Sequence, residues 1–448
     1  MILAGFGGLM LFSKSAVQAR EQRVAQAVNS LLNQNEAIAI FSGDVIIKPG
    51  GLDQTYPFIP HPMYLWLTGR SRKGEISIFV PGQGWTHFQN PMTDEELVWE
   101  GEQIPTDSSF KLKDLKSYLD KNKHLHFYPF GQVPPILPEG MVAANASEKQ
   151  FHIKTQLDQT RRIKDAEEVQ LVQRIAGIAN KGYQKLSQII RPGMTEREIQ
   201  IEYEAEIFRA GSEKVPYETI VGTGSHSAIL HAIPSQRVVQ SGDLILIDAG
   251  ADISDYCVDI TRIFYADHKP TTQQKELYQI VLKAHDECIQ MCVTGTQWKN
   301  VHQKSAHIIA QGLKDLGILK VSAEEALDTE AISVFYPHGV GHLVGLRVRD
   351  TGCEENLNPQ KYFGARLRVD LALQENMLIT VEPGCYFIQT LLQSSEVQKR
   401  FQNQIHFEKA LKWLSVGGIR LEDDILVQNQ NSKNLTEIVH LERSYESV

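Results

Sequence analysis

Four carboxylates stand where a folded chain ordinarily avoids charge. Asp248 closes the apolar run Leu244-Ile245-Leu246-Ile247, and Asp259 leads into the β-branched stretch Ile260-Thr261. Glu382 follows Met377-Leu378-Ile379-Thr380-Val381 and is cut off by Pro383-Gly384, while Glu422 follows Gly418-Ile419-Arg420-Leu421. Acids at the ends of strand-length apolar runs are drawn into the interior, and a buried charge needs a partner. Any fold of this chain must therefore bring these acids to cations or to one another.

The helix and strand signals around them describe an α+β domain. Asp165 reads as the N-cap of a long helix whose apolar positions, from Val169 to Ile190, recur at a period near 3.6, with Pro192-Gly193 ending it. Thr195 and Glu198 form a capping box for a second helix, closed by Gly211. Strand-like runs follow at 244–247 and 257–265, joined by a hairpin turn at Ser254-Asp255. A helical pair spans about 273–316, and further strands are expected at 343–348, 377–381 and 419–427.

At 448 residues the chain is too long for one ordinary core, so two domains are expected, 1–157 and 158–448. The first reads as mixed α/β. It has strand-like runs at 37–41, 75–80 and 125–128, a polar helix at 114–122, and a break at Pro134, Pro135, Pro138 and Gly140. It carries no chemical constellation.

The net charge of −9 argues against nucleic acid as a partner and against an anionic membrane surface. The apolar stretch from Met1 to Phe12 is too short to span a bilayer. It also lacks the basic residues that precede a signal sequence's apolar core, because Lys14 and Arg20 come after it. The cysteines, Cys257, Cys288, Cys292, Cys353 and Cys385, are odd in number and show no disulfide or zinc spacing. Reduced thiols in the cytoplasm are the expectation.

Taken singly, each acid has an ordinary reading as a turn, a strand end or an ion pair. Taken together they do not, because four converging carboxylates repel unless cations neutralise them. Two divalent metal ions balance the charge and can share a hydroxide that attacks a carbonyl. Oxygen-rich ligation with one imidazole suits manganese, cobalt or zinc, manganese being the first expectation. The imidazole is His342 in His338-Gly339-Val340-Gly341-His342. This segment is not the helical two-histidine zinc motif, since glycine stands where that motif places its glutamate. His285, His302 and His307 read as ordinary core or surface histidines.

In order, Leu246-Ile247-Asp248-Ala249-Gly250, Asp259-Ile260-Thr261-Arg262, Pro337-His338-Gly339-Val340-Gly341-His342, Val381-Glu382-Pro383-Gly384 and Gly418-Ile419-Arg420-Leu421-Glu422 resemble the pita-bread metallopeptidases, over residues about 160 to 430. The resemblance implies a C-terminal pita-bread catalytic domain behind a creatinase-like N-terminal domain, which Leu65-Trp66-Leu67-Thr68-Gly69 also resembles. It implies Asp248, Asp259, His342, Glu382 and Glu422 as metal ligands, with Glu382 also a proton shuttle. His231 and Tyr217 fall on the substrate side. His338 is the donor to the tetrahedral intermediate, and Arg420 orients the ligand carboxylates.

Within the family, prolidase, which cleaves Xaa-Pro dipeptides, is the first expectation. Arg368 stands fourteen residues before Glu382, where prolidases place an arginine for the substrate carboxylate. Tyr386 to Leu392 and the insertion from 392 to 417 are similar to bacterial prolidases. Aminopeptidase P, which acts on longer peptides, is the alternative. A non-catalytic peptide-binding module and a metal-free creatinase-like hydrolase fit less well, because no ligand is missing. Short proline-containing peptides are the expected partners, and a homodimer or dimer of dimers the expected assembly. Two departures bear on specificity. Val348-Arg349-Asp350 carries arginine where most relatives have a substrate-touching histidine, and Ala232 follows His231 where tyrosine is common. Arg349 is thus a second candidate cation for a substrate carboxylate.

Overall fold

The computed structural model describes residues 11–101, 110–132, 137, 141–142, 148–352 and 360–439. Most of the apolar N-terminus, the prolines at 134, 135 and 138 with Gly140, and Cys353 lie outside these residues. The chain divides into two compact units, Met1–Arg161 and Arg162–Val448.

In the first unit α1 (Lys14–Val28) precedes β1 (Glu36–Phe41), α2 (Pro62–Thr68), β2 (Ile76–Val80) and β3 (Gly84–Gln89). Then come α3 (Asp94–Glu100), β4 (Phe110–Lys111), α4 (Leu115–Lys121) and β5 (His126–Phe130), and α5 (Glu148–Arg162) closes the series. The strands form one mixed sheet in the order β4-β3-β2-β1-β5. Phe41, Ile78, Phe88, Leu115 and Phe127 fill its core. Among the described residues of this unit one acid, Glu75, is buried. Glu75 accepts from Tyr64 Oη at 2.7 Å and from Arg70 Nε and an Arg70 terminal nitrogen at 2.9 and 2.7 Å.

The second unit begins with α6 (Ala166–Ile189), capped by Asp165 with Glu168 reaching back, and α7 (Glu196–Arg209), capped by the Thr195–Glu198 box. The strands β6 (Ile220–Thr223), β7 (Leu244–Asp248), β8 (Asp252–Ile253), β9 (Tyr256–Cys257) and β10 (Thr261–Tyr265) follow. Ser254 and Asp255, both at positive φ, make the tight turn between β8 and β9. Such a turn matches the strand twist of a hairpin. Next are α8 (Thr272–Met291), α9 (Trp298–Asp315), α10 (Ala323–Asp328) and the small hairpin β11 (Lys361–Tyr362) and β12 (Ala365–Arg366). The chain then supplies β13 (Leu378–Val381), β14 (Gly384–Tyr386), three short helices α11 (Gln389–Leu392), α12 (Ser395–Phe401) and α13 (Phe407–Ala410), β15 (Gly418–Arg420), β16 (Asp423–Leu426) and β17 (Lys433–Asn434).

The pairings explain why the acids meet. β7 lies between β6 and β10, antiparallel to both, with Asp248 opposite Thr261. Thr261 also bridges Glu422, so Asp248, Thr261 and Glu422 lie side by side across neighbouring segments. β13 pairs with β16 antiparallel, setting Val381 opposite Asp423. The segment carrying His342 runs beside β13, with Thr380 N–H donating to the His342 carbonyl at 2.8 Å and Glu382 N–H to that of Val340 at 2.8 Å. Leu246, Val281, Ile309 and Phe335 pack behind the first sheet, and Trp298, Ile379 and Ile425 behind the second.

Three expected strands differ. The run 257–265 divides into β9 and β10, with Asp259 in the gap between them. Residues 343–348 make only isolated bridges, because Gly345 and Arg347 adopt positive φ and interrupt the extended backbone. The run 419–427 breaks at 421–422 into β15 and β16, and Glu422 occupies the break. Among the described residues no helix is long and apolar enough to cross a membrane. Cys257, Cys288, Cys292 and Cys385 are free and buried.

Candidate metal centre

A cleft of about 940 Å³ in the second unit is lined at its base by Asp248, Asp259, His342, Glu382 and Glu422. Asp259, His342 and Glu422 each offer a ligand atom within 4.8 Å of the others. His342 Nε2 stands 3.5 Å from both Asp259 Oδ2 and Glu382 Oε1. Its Nδ1 lies 3.1 Å from the Leu343 carbonyl, which directs the free nitrogen toward the acids. Gly341 is required beside it, since a Cβ there would overlap the Thr380 carbonyl oxygen.

One buried guanidinium serves the cluster. Arg420 donates to Asp248 Oδ2 at 2.6 Å, to Thr261 Oγ1 at 3.1 Å and to Tyr386 Oη at 3.0 Å. Thr261 Oγ1 in turn donates to Glu422 Oε2 at 2.7 Å. Because an arginine only donates, the Tyr386 proton is left for His338 Nε2, 2.8 Å away. That assigns the His338 proton to Nδ1, which faces Glu382 Oε2 at 3.9 Å and its neighbour's carbonyl, Gly339 O, at 2.8 Å. Burial and the Arg420 charge push His338 down to about 3, so the ring is neutral.

This single cation is too little for four acids. Burial and the adjacent Asp259 charge push Asp248 up to about 7 despite Arg420. Burial raises Glu382 and, aided by the surrounding carboxylates, raises Glu422 well above its ordinary range. Burial opposes ionisation of Asp259 too, but His342, Tyr217 and Arg420 hold its carboxyl below the usual value. His342 is raised by Asp259 and Glu382 against the effect of burial. Asp248 Oδ1, Asp259 Oδ1 and the Tyr217 hydroxyl are buried without a well-aligned hydrogen-bond partner. Unsatisfied buried oxygens on mutually repelling acids, with one oriented imidazole, are the donor set of a divalent-cation site. The residues fit the metals expected from the sequence.

Of the other expected residues, His231, His338, Arg349 and Arg368 line the same cleft, joined by Arg366. Partial burial and the charges of Arg420 and Arg349 lower His231. Tyr217 is not a lining residue, but its hydroxyl favours the ionised forms of both aspartates. His285 faces Asp423 at 3.2 Å, His302 the Tyr362 carbonyl at 3.3 Å and His307 Glu324 at 2.9 Å, so all three are the ordinary histidines expected.

Four supporting residues escaped the sequence reading. Thr261 bridges Arg420 and Glu422. Thr380 Oγ1 accepts from His342 N–H at 3.0 Å and lies 3.4 Å from Glu382 Oε1. Asp424 Oδ2 accepts the Asp259 N–H at 3.1 Å, and Tyr386 joins Arg420 to His338. Strand alternation was the available signal for the threonines. Thr261 lies two residues beyond Asp259 and Thr380 two before Glu382, each on its ligand's side of the strand.

A family model described as metallopeptidase family M24 matches residues 170–429. A protein named "Probable Xaa-Pro aminopeptidase pepP" from Emericella nidulans is 27% identical over 446 residues, covering 95% of this chain and 96% of that one. Its namesake from Pyrenophora tritici-repentis is 29% identical over 399 residues, 86% of this chain and 85% of that one. Among solved structures, E. coli aminopeptidase P with the inhibitor Pro-Leu matches with a TM-score of 0.76 at 23% identity over 97% of each chain. Pseudomonas aeruginosa aminopeptidase PepP matches at 0.74, with 23% identity over 96% of each. The fold is the pita-bread fold preceded by an N-terminal domain. The ranking of prolidase first is not supported. These relatives carry the aminopeptidase name, against the order that Arg368, the Tyr386 to Leu392 segment and the 392–417 insertion had favoured.

Proposed function

Because the chain belongs to metallopeptidase family M24, we propose that it is an Xaa-Pro aminopeptidase that removes the first residue from peptides whose second residue is proline. The observation that carries the reading is the convergence of Asp248, Asp259, His342, Glu382 and Glu422 on one cleft, with buried oxygens left unsatisfied. The names of the relatives, which span nearly the whole chain, support the substrate class.

These five residues would hold two divalent cations, manganese first, with cobalt or zinc as alternatives. When bound, such cations acidify water at the site and polarise the scissile carbonyl. The protein's own groups do the rest. Arg420 and Thr261 fix Asp248 and Glu422. His338 is held through Nε2 by Tyr386 and through Nδ1 by the Gly339 carbonyl, and its Nδ1 proton, shared with that carbonyl, is the donor offered to negative charge developing on the substrate's carbonyl oxygen. Glu382, beside that donor, receives a proton from the attacking water and delivers it to the departing proline nitrogen.

A dipeptidase reading rests on Arg368, which lines the cleft and would suit the carboxylate of an Xaa-Pro dipeptide. Manganese-loaded protein should cleave Gly-Pro-Ala faster than Gly-Pro. Turnover of the dipeptide alone would select prolidase, and turnover of neither would remove the peptidase reading. A cytoplasmic location and a dimer or dimer of dimers belong to the same proposal. Equilibrium sedimentation giving a monomer would remove the assembly.

A further inference from the structure

The cleft changes sign between its base and its wall. Its base holds the acid cluster, whereas Arg349, Arg366 and Arg368 line the wall. All three are exposed. No hydrogen bond or ion pair engages their guanidinium groups among the described residues, which is unusual in a chain of net charge −9. The acids on the same wall are engaged. Asp350 pairs with Lys164 at 2.7 Å, both buried, and Asp370 accepts from the Tyr362 hydroxyl at 3.3 Å.

The backbone presenting these arginines is anchored. Arg349 sits in a short loop pinned on either side. Before it, Arg347 pairs with Asp255 at 2.5 Å and its N–H donates to the Asp255 carbonyl at 2.9 Å. After it stands the Asp350–Lys164 pair, and Arg162 donates to the Thr351 carbonyl at 3.3 Å. Arg366 ends the β11–β12 hairpin, whose turn residues Phe363 and Gly364 adopt positive φ, and Arg368 follows by one strand period. An exposed side chain on a fixed backbone gives up less freedom on binding than one on a mobile loop. When divalent cations neutralise the acids, the wall arginines and Arg420 remain as positive charge among the described residues that line the cleft.

We infer that Arg349, with Arg366 and Arg368, forms a carboxylate-binding wall that selects peptides carrying an acidic group beyond the proline. This rests on the Xaa-Pro reading for the position of the proline. The shared chemistry is a carboxylate, supplied either by an Asp or Glu side chain or by a free peptide C-terminus.

The test compares Gly-Pro-Glu amide, Gly-Pro-Gln amide and Gly-Pro-Gln free acid as substrates of the metal-loaded enzyme. In parallel, calorimetry measures binding of Pro-Glu amide and Pro-Gln amide. A carboxylate met by a guanidinium should raise kcat/KM about tenfold, chiefly through KM. A gain for the Glu amide over the Gln amide assigns the side chain as the source, and a gain for the free acid assigns the C-terminus. Arg349→Gln should remove most of the gain, Arg349→Lys should keep part of it, and high salt should shrink it. Equal rates and equal binding across the series, or a gain that survives Arg349→Gln, would overturn the inference. If no peptide is cleaved, the peptidase reading fails on its own, and the binding ratio of the two proline amides still decides whether the wall prefers a carboxylate.

Discussion

Glu75 in the first unit and Asp248 in the second are both buried acids facing an arginine, and they differ in what is left over. Both Glu75 oxygens are engaged. Arg70 grips the carboxylate from two nitrogens, Tyr64 donates to Oε2, and Asn90 N–H donates to Oε1 at 3.1 Å. Asp248 has Arg420 on one oxygen and no well-aligned hydrogen bond on the other, with Asp259, Glu382 and Glu422 sharing its surroundings. A single acid fully matched by one cation serves folding, whereas a group of acids under-matched by one cation is a vessel for others. The difference lies in hydrogen-bond completeness and local charge, and it is invisible in burial alone.

The comparison breaks or sharpens on substitution. The largest effect should come from Asp259→Asn, which should cut Xaa-Pro hydrolysis on the order of a thousandfold or more. In chelator-treated protein Glu422→Gln should raise the melting temperature, because burial and the surrounding carboxylates oppose its charge. A lowered value would make Glu422 a structural acid like Glu75. Glu75→Gln should act oppositely, since it removes the buried carboxylate that two Arg70 nitrogens grip. A loss of about 3–5 kcal/mol in denaturant unfolding is expected, and a neutral result would erase the contrast.

Thr261→Val removes the hydroxyl shared by Arg420 and Glu422 and should weaken metal affinity about 10–100-fold in a competition titration, with little change in fold by circular dichroism. The smallest effect belongs to a half-exposed acid of the first unit. The Thr93 N–H, Arg72 and Lys73 together hold Glu96 at about 2, below its ordinary 4.5. A depressed carboxyl stabilises the folded state above its unfolded value and loses that contribution as pH falls from 4.5 through about 2. Glu96→Gln should therefore flatten the acid limb of the stability curve over that interval, by no more than about 1 kcal/mol.

The sequence exposed the ligands because charge at the end of an apolar run is rare enough to be noticed. Helix caps at Asp165 and Thr195 were legible for a related reason, since capping is local chemistry. The 343–348 segment was misread as a strand because nothing in its apolar composition announces that Gly345 and Arg347 adopt positive φ. Thr261, Thr380 and Asp424 went unnoticed because polar residues in strands are common, and their roles come from partners that are distant in sequence, as with Asp424 and the Asp259 N–H. Prolidase was ranked first on Arg368, Tyr386 to Leu392 and the 392–417 insertion, while the relatives carry the aminopeptidase name; a guanidinium fits any carboxylate and does not report the length of the peptide.

The central claim is that the under-matched acids exist to hold divalent cations. Calorimetric titration of chelator-treated protein with manganese tests it most directly. The account predicts saturable binding of two ions per chain, accompanied by a rise in melting temperature and abolished or halved in Asp259→Asn. An absence of binding, or binding that Asp259→Asn leaves unchanged, would contradict it.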